Sequence, residues 1–274
     1  MTSPNQNEPL LKVKDLSKNF GGLRAVNRIN LELYPGDLAG LIGPNGAGKT
    51  TAFNLVTGVY QPTEGQITFK GQEIGGVAPH IINQMGIART FQNIRLFPNL
   101  TVLENVCIAY HSHAGYSMQD AILRNGRFET KEKELLEKAQ DFLSIFNMQD
   151  RQAEIARNLP YGQQRRLEIA RALAANPELL LLDEPAAGMN PNESIALMDL
   201  IHFIRDRFKL TILLIEHQMR VVMGVCEKIT VMDFGEVIAY GAPQEIQSNP
   251  RVVEAYLGRG AAELSEKLQR SKAQ

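Results

Sequence analysis

The eight residues from Gly43 to Thr50 match the phosphate-binding pattern GxxxxGK[ST], and this match constrains the fold more than any other feature of the chain. An apolar run at residues 38–42 comes directly before them, as a buried strand would, and a helical pattern follows at residues 50–56. The glycines let successive N–H groups face phosphate oxygens, and the start of the helix adds positive potential. This order predicts an α/β fold that binds a nucleoside triphosphate.

Within this loop, Lys49 is placed to reach the β- and γ-phosphates, and the Thr50 hydroxyl is placed to contact Mg²⁺. A Gly-rich turn that matches by accident would lack the strand before it and the helix after it. The predicted ATP-binding residues of this segment are Gly43, Pro44, Asn45, Gly46, Ala47, Gly48, Lys49, Thr50 and Thr51.

Composition narrows the function classes. A formal net charge of −1 argues against a broad basic face for nucleic acid. The two cysteines have no metal-ligand spacing around them, which favours buried free thiols in a reducing compartment. No apolar stretch approaches the length that spans a bilayer, so we expect a cytoplasmic protein whose membrane role would come through a partner.

The pattern along the chain indicates a core interrupted by helices. From about residue 94 to residue 158 strand signals vanish, and Leu135, Ala139, Phe142 and Phe146 form one apolar helical stripe. The predicted strands are 10–19, 26–33, 38–42, 66–69, 88–92, 178–183 and 211–215, with a hairpin at 228–240 and core helices at 50–56, 164–175 and 191–208.

A second motif is the apolar run Leu179 to Leu182, which ends in Asp183 and Glu184. Asp183 is placed to hold Mg²⁺ through its water shell, because Mg²⁺ keeps several waters and few protein ligands. Glu184 can polarise the attacking water. A strand ending in a charged turn is common in isolation, but a phosphate loop upstream favours the catalytic interpretation.

Together these motifs resemble those of the nucleotide-binding subunits of ABC (ATP-binding cassette) transporters, over roughly residues 10–258. The resemblance implies a P-loop NTPase core of the RecA-like kind with a mainly parallel sheet, an antiparallel β subdomain and an inserted α-helical subdomain. It divides the single domain into a core at 10–93 and 159–258 and a helical subdomain at about 94–158. Residues 1–9 and 259–274 would be flexible termini.

The resemblance also assigns single residues. Gln92 matches the family's glutamine that senses Mg²⁺ and the attacking water, and His217 matches the histidine that contacts the γ-phosphate. Phe20 matches the aromatic residue that stacks on adenine. Core packing remains the alternative for Phe20, and a surface position at a strand end remains the alternative for His217.

The family's signature, LSGGQ, reaches across a dimer interface to the ATP held by the partner. Here it reads Leu159-Pro160-Tyr161-Gly162-Gln163, so Tyr161, Gly162 and Gln163 are the residues expected to face the partner's ATP. Pro160 has neither a hydroxyl nor an N–H to offer, and Asn190 replaces the usual aspartate of a later loop. We therefore expect this chain's own site to hydrolyse ATP and the site capped by its signature to be weaker.

Segments 161–173, 184–191 and 249–258 are similar to one ATPase subunit of branched-chain amino acid importers. This implies ATP and Mg²⁺ as cofactors, a second and different ATPase subunit, two transmembrane permease subunits and an extracytoplasmic substrate-binding protein, on the cytoplasmic side of the inner membrane. A homodimer is the alternative assembly. The alternative functions are the ATPase of a lipopolysaccharide exporter and an ABC ATPase unconnected with transport.

Overall fold

Two β-sheets and the helices around them make up the fold. The computed structural model describes residues 8–111 and 118–257. The strands are β1 (Leu11–Phe20), β2 (Leu23–Leu33), β3 (Leu38–Ile42), β4 (Glu64–Phe69), β5 (Gln72–Glu73), β6 (Ile87–Arg89), β7 (Leu179–Asp183), β8 (Thr211–Ile215), β9 (Lys228–Asp233) and β10 (Glu236–Gly241). The helices are α1 (Lys49–Val56), α2 (Pro79–Gln84), α3 (Val102–His111), α4 (Met118–Leu123), α5 (Gly126–Ile145), α6 (Tyr161–Ala174), α7 (Pro191–Phe208), α8 (Met219–Val225), α9 (Pro243–Ser248) and α10 (Pro250–Leu257).

The six-stranded sheet has the order β10-β9-β3-β8-β7-β6, and all its pairings are parallel except that of β10 with β9. Ile215 at the end of β8 pairs with both Leu41 and Asp183. The carboxyl ends of β3, β7 and β8 therefore meet at one edge, where ligands of open parallel sheets bind. The four-stranded sheet, β2-β1-β4-β5, is antiparallel.

Both faces of the parallel sheet are buried, as the run of four leucines predicts. Leu180 and Leu182 join a core formed with the helices α3, α5, α6, α7 and α8, while Leu179 and Leu181 join a core formed with the antiparallel sheet and α1. All four leucines are fully buried. Period-two alternation thus sends successive side chains of one strand into two separate hydrophobic layers. The predicted fold class is confirmed.

Helices fill the chain between β6 and β7. Among the described residues of this stretch, β structure is limited to one isolated bridge between Thr101 and Ile155. The predicted apolar stripe of α5 is confirmed, since Leu135, Ala139, Phe142 and Phe146 are all buried. No helix in the part of the chain that the structure describes is apolar over a length sufficient to traverse a bilayer. The predicted termini lie outside the described residues, apart from residues 8 and 9.

Among the predicted boundaries that were wrong, two bear on the site. Strand β6 ends at Arg89, so Gln92 lies in a loop and not at the end of a strand. Helix α6 begins at Tyr161, three residues before the predicted start at 164, with Pro160 as its extended N-cap. Gly162 has low helix propensity, but the helix forms because its buried face, including Leu167, packs into the core. Cys226 is buried as expected, whereas Cys107 is only half-buried.

Candidate nucleotide-binding and catalytic site

The phosphate loop joins β3 to α1 and depends on glycine at both of its ends. Gly43 has φ of 150°, and a Cβ there would lie 2.0 Å from the carbonyl oxygen of Met232. Gly48, the N-cap of α1, has φ of 99°, and a Cβ there would lie 2.4 Å from the carbonyl oxygen of Ala25. Only glycine fits these left-handed, crowded positions, and the resulting turn presents the N-terminus of α1 to the cleft.

Lys49 folds back over its own loop. Its Nζ donates to the carbonyl oxygens of Gly43 and Pro44 at 2.7 and 2.8 Å, and the side chain is buried. Burial lowers the pKa of the Lys49 ammonium, and the carboxylates of Glu184 and Asp183 oppose that shift. These nearby carboxylates therefore favour the charged form of the lysine, the form that binds phosphate.

A cleft of about 600 Å³ opens over this loop, which is the size range of small-molecule sites. The residues that line it are Phe20, Leu23, Arg24, Ala25, Asn45, Gly46, Ala47, Gly48, Lys49, Thr50, Thr51, Gln92, Glu184 and Phe234. The phosphate loop from Asn45 to Thr51 thus shares one cleft with Phe20, Gln92 and Glu184. Gly43, Pro44, Asp183 and His217 are not part of its lining.

Phe20 lies at the rim of this cleft, at the end of β1. The residue is 41% exposed, which excludes core packing, and its ring meets the ring of Tyr60 edge-on at 5.1 Å between centroids. Lys18 places its ammonium 5.1 Å from the centre of the Phe20 ring. These contacts hold the ring while leaving much of its surface free for a planar ligand.

Three predicted catalytic side chains meet at one carboxylate oxygen. Glu184 Oε2 accepts a hydrogen bond from Gln92 Nε2 at 2.8 Å and lies 3.4 Å from His217 Nδ1. Glu184 follows β7, His217 follows β8 and Gln92 lies in the loop after β6. These three positions are close together because the three strands are adjacent in the sheet. Glu184 has φ of 46°, an uncommon left-handed conformation for a residue with a side chain, which directs its carboxylate into the cleft.

Asp183 is buried and paired with Arg89, a residue that sequence reasoning missed. Arg89 donates to Asp183 Oδ2 at 2.7 Å and to Asn54 Oδ1 of α1 at 2.7 Å. This guanidinium connects the helix of the phosphate loop to the carboxylate strand. Its partners are distant in sequence, so no local pattern signals the pairing.

Glu216, also missed, supports the loops around Glu184. It is fully buried, and its two oxygens accept from the backbone N–H groups of Ala186, His217 and Gln218 at 2.9 to 3.1 Å. One carboxylate therefore fixes the loop after β7 and the loop after β8. Its position next to His217 could have pointed to it in the sequence. An acidic residue at the end of a strand is, however, usually predicted to lie on the surface.

The signature residues lie apart from this cleft. Gly162 and Gln163 line a separate cavity of about 240 Å³ together with Pro160 and residues of α7. The Tyr161 ring is 42% exposed and lies against Gly188, whose Cβ would be 3.6 to 3.8 Å from it. Tyr161, Gly162 and Gln163 form the first turn of α6, in which the Gln163 N–H donates to the carbonyl oxygen of the N-cap Pro160 at 2.9 Å.

A buried arginine joins the signature helix to the Gln92 loop. Arg165 is fully buried, pairs with Glu168 at 2.7 Å, and donates to the carbonyl oxygens of Phe91 and Gln92, each at 2.6 Å. The Tyr161 hydroxyl accepts from the same guanidinium at 3.3 Å. The i,i+3 spacing of Arg165 and Glu168 is visible in the sequence, but their complete burial is not.

Comparison with known proteins gives one consistent set of relatives. The model of the family "ABC transporter" matches residues 26–187, and the model of the family "Branched-chain amino acid ATP-binding cassette transporter" matches residues 236–262. The chain is 47% identical to the high-affinity branched-chain amino acid transport ATP-binding protein LivG of Escherichia coli K12, over 92% of this chain and 98% of LivG.

A curated protein and a solved structure match this chain with lower identity. The lipopolysaccharide export system ATP-binding protein LptB of Haemophilus influenzae is 33% identical over 91% of this chain and 97% of LptB. The crystal structure of the ADP conformation of MJ1267, an ATP-binding cassette of an ABC transporter, superposes with a TM-score of 0.79 at 31% identity, covering 92% of this chain and all of that one.

Proposed function

The chain belongs to the ABC transporter family of ATP-binding proteins, and from that membership we propose that it is the ATP-hydrolysing subunit of an importer for branched-chain amino acids. The observation that carries the substrate class is the 47% identity to LivG over 92% of the chain. The lower identity to LptB, 33%, and the Pro160-Tyr161 departure from the serine-containing signature favour import over lipopolysaccharide export.

The geometry supports a general-base role for Glu184. Gln92 and His217 both lie against the Glu184 oxygen. A water held among the three side chains would lose its proton to the carboxylate as it attacks the γ-phosphorus, while the bond to the β,γ-bridging oxygen breaks and ADP leaves. Lys49 releases its two carbonyl acceptors when phosphates offer stronger, charged ones. The N–H groups of the loop and of the first turn of α1 would stabilise the phosphate charge.

Asp183, Thr50 and Gln92 are the residues we propose around Mg²⁺. All three supply oxygen ligands, which Mg²⁺ prefers, and Thr50 is exposed at the start of α1 beside the cleft. Pairing one Asp183 oxygen with Arg89 does not exhaust the acceptors of a carboxylate. The metal, when bound, would neutralise charge on the β- and γ-phosphates.

The proposed assembly pairs this chain with a second ATPase subunit. Tyr161, Gly162 and Gln163 are separated from the chain's own cleft, as expected of residues that face a partner's nucleotide. A different partner with an intact signature would complete the site around Glu184, whereas Pro160 would weaken the opposite site. Two permease subunits would dock this pair to the cytoplasmic face of the membrane, with a substrate-binding protein on the far side.

A permease contact is proposed at the Gln92 loop. Phe97, which follows this loop, is 43% exposed, while Leu96 packs into the core beside it. Arg165 of α6 is hydrogen-bonded to the same loop, so a movement of the loop would displace the signature residues at the start of α6. This arrangement would couple permease contacts to closure of the ATPase pair.

The test is purification of the chain with its native membrane partners, followed by ATPase measurement. Glu184→Gln is expected to lower the rate at least about 100-fold while ATP still binds, because it removes the general base. Glu178→Gln, at the exposed opposite end of β7, is the matched control. Co-purification with a different ATPase and permeases, and stimulation by leucine with a binding protein, would support import. A rate indifferent to Glu184, or a homodimer without membrane partners, would contradict it.

A further inference from the structure

Phe234 is an exposed aromatic residue at the mouth of the nucleotide cleft that none of the roles above uses. It lies in the turn between β9 and β10 and is 87% exposed. Phe20 and Leu23, both exposed, line the same cleft from the turn between β1 and β2. The cleft therefore has a polar floor at the phosphate loop and apolar side chains on two separate turns.

The backbone at Phe234 adopts a conformation that a phenylalanine does not favour. Its φ is +43°, and Gly235 follows with φ of +83°, so both central residues of this two-residue hairpin turn are left-handed. Asparagine, aspartate or glycine is preferred at the first of these positions. A bulky aromatic there is an outlier, and such outliers concentrate at ligand-binding sites.

Hydrogen bonds fix this turn to the phosphate loop. The Gly235 N–H donates to the carbonyl oxygen of Ala47 at 3.0 Å, and the Gly235 carbonyl accepts from Asn27 N–H at 2.8 Å. A Cβ at residue 235 would lie 2.9 Å from the carbonyl oxygen of Ala25, so the turn packs tightly against β2. The exposed ring of Phe234 is thus carried by a backbone held in place.

A chain of side-chain hydrogen bonds also joins the two apolar turns. Asn19, beside Phe20, accepts from Arg24 at 3.2 Å, and Arg24 donates to Asn27 at 2.9 Å. Asn27 in turn donates to Glu236, two residues after Phe234, at 2.6 Å. These bonds connect the turn that carries Phe20 to the turn that carries Phe234.

We propose that Phe234 is a second base-contacting residue, which packs against the base of the bound nucleoside triphosphate from the β9–β10 turn while Phe20 contacts it from the β1–β2 turn. The inference rests on the proposed function, since it requires ATP in this cleft. Phosphates bound at Ala47 to Lys49 leave the base beside the two apolar turns that line the same cleft. An aromatic face binds any base by stacking.

The test compares ATP with tripolyphosphate, which lacks the base, by calorimetry on the full chain. Phe234→Ala is expected to weaken ATP binding about fivefold or more, the lower end of measured base–aromatic stacking, and to leave tripolyphosphate binding unchanged. Tyr240→Ala is the matched control, because Tyr240 is an exposed aromatic on the same hairpin that lines a different cavity.

Fluorescence supplies a second readout, because the chain contains no tryptophan. Phe234→Trp should give an emission that ATP quenches and tripolyphosphate does not, while Tyr240→Trp should respond to neither.

Equal weakening of ATP binding and of tripolyphosphate binding by Phe234→Ala would overturn the inference, since the turn would then act through the phosphate loop. So would an unchanged ATP affinity with altered self-association, which would make Phe234 a protein contact. If the unsubstituted chain fails to bind ATP, the proposed function itself falls, and this inference with it.

Discussion

The nucleotide cleft and the signature edge, residues 159–163, are two regions joined by Arg165. They differ in the polar groups that each can offer to a nucleotide. In the cleft, side chains from β7, from β8 and from the Gln92 loop converge on Glu184. At the signature edge, Pro160 supplies no donor, and the Tyr161 hydroxyl is turned toward Arg165 within the same chain. Under the proposed function, one region would act on the chain's own nucleotide, and the other would offer a partner's nucleotide fewer donors than an LSGGQ sequence does.

This difference teaches that the two halves of an ABC ATPase site can diverge within one chain. The residues that bind and activate reactants depend on the ends of buried strands, which the core holds rigidly. The signature residues lie in the first turn of α6, where Tyr161 is exposed and Gly162 and Gln163 are half-buried. Because the two functions rest on separate elements, one can weaken while the other remains intact.

The largest expected effect comes from breaking the connection between the two regions. Arg165→Met should lower the free energy of unfolding by about 3–5 kcal/mol, because the buried Glu168 carboxylate loses its charged partner and keeps only the Arg95 N–H as a donor. Urea unfolding followed by circular dichroism measures the loss. Arg166→Met is the matched control, since Arg166 is only half-buried and makes one longer hydrogen bond, to the carbonyl of Phe146 at 3.3 Å.

A double substitution separates the buried charge from the connection itself. Arg165→Met with Glu168→Gln removes both charges and keeps an amide oxygen that can accept from the Arg95 N–H, so part of the lost stability should return, yet the carbonyls of Phe91 and Gln92 still lack their donor. ATPase activity should therefore stay low in the double variant. Full recovery of activity would mean that Arg165 contributes only stability and does not couple the regions.

The next effect is confined to the cleft. Glu216→Gln should lower kcat about tenfold with little change in the KM for ATP, because an amide cannot accept from all three N–H groups that Glu216 holds. Steady-state ATPase kinetics measure this change. Glu227→Gln is the control, an exposed carboxylate that pairs with Arg205. A change in KM at constant kcat would show that Glu216 acts on nucleotide binding and not on Glu184 and His217.

The cleft could be predicted from the sequence further than the signature edge could. Lys49, Asp183 and Glu184 belong to local motifs at strand ends, and adjacent parallel strands bring such ends together. The links that Arg89 and Arg165 make could not be found in this way. Asp183 lies 94 residues from Arg89, and the carbonyls of Gln92 and Phe91 lie 73 and 74 residues from Arg165. Only the packed fold reveals which charged side chains are buried and paired. The catalytic roles of Gln92 and His217 stay predictions, which the neighbouring geometry makes testable.

The start of α6 was missed for a different physical reason. Pro160 and Gly162 are residues of turns and loops, so propensity places the helix start after them. The structure uses proline in the extended N-cap position and begins the helix at once, with its buried face deciding the outcome. The signature residues are consequently helical N-terminal residues, which determines where their N–H groups point.

The smallest expected effect comes from restoring the missing donors at the signature edge, which would make its sequence closer to LSGGQ. In the complete complex, Pro160→Ser with Tyr161→Gly restores a hydroxyl and backbone freedom at the signature. The ATPase rate should rise at most about twofold, from one hydrolysing site toward two, because the restored donors stabilise charge on the partner's γ-phosphate. Single-turnover phosphate release counts the active sites directly.

The control is Pro160→Ala with Tyr161→Gly, which supplies the same backbone without the hydroxyl. Its ATPase rate should rise less. If rate and stoichiometry both stay unchanged, the expected difference between the two ATP sites is wrong.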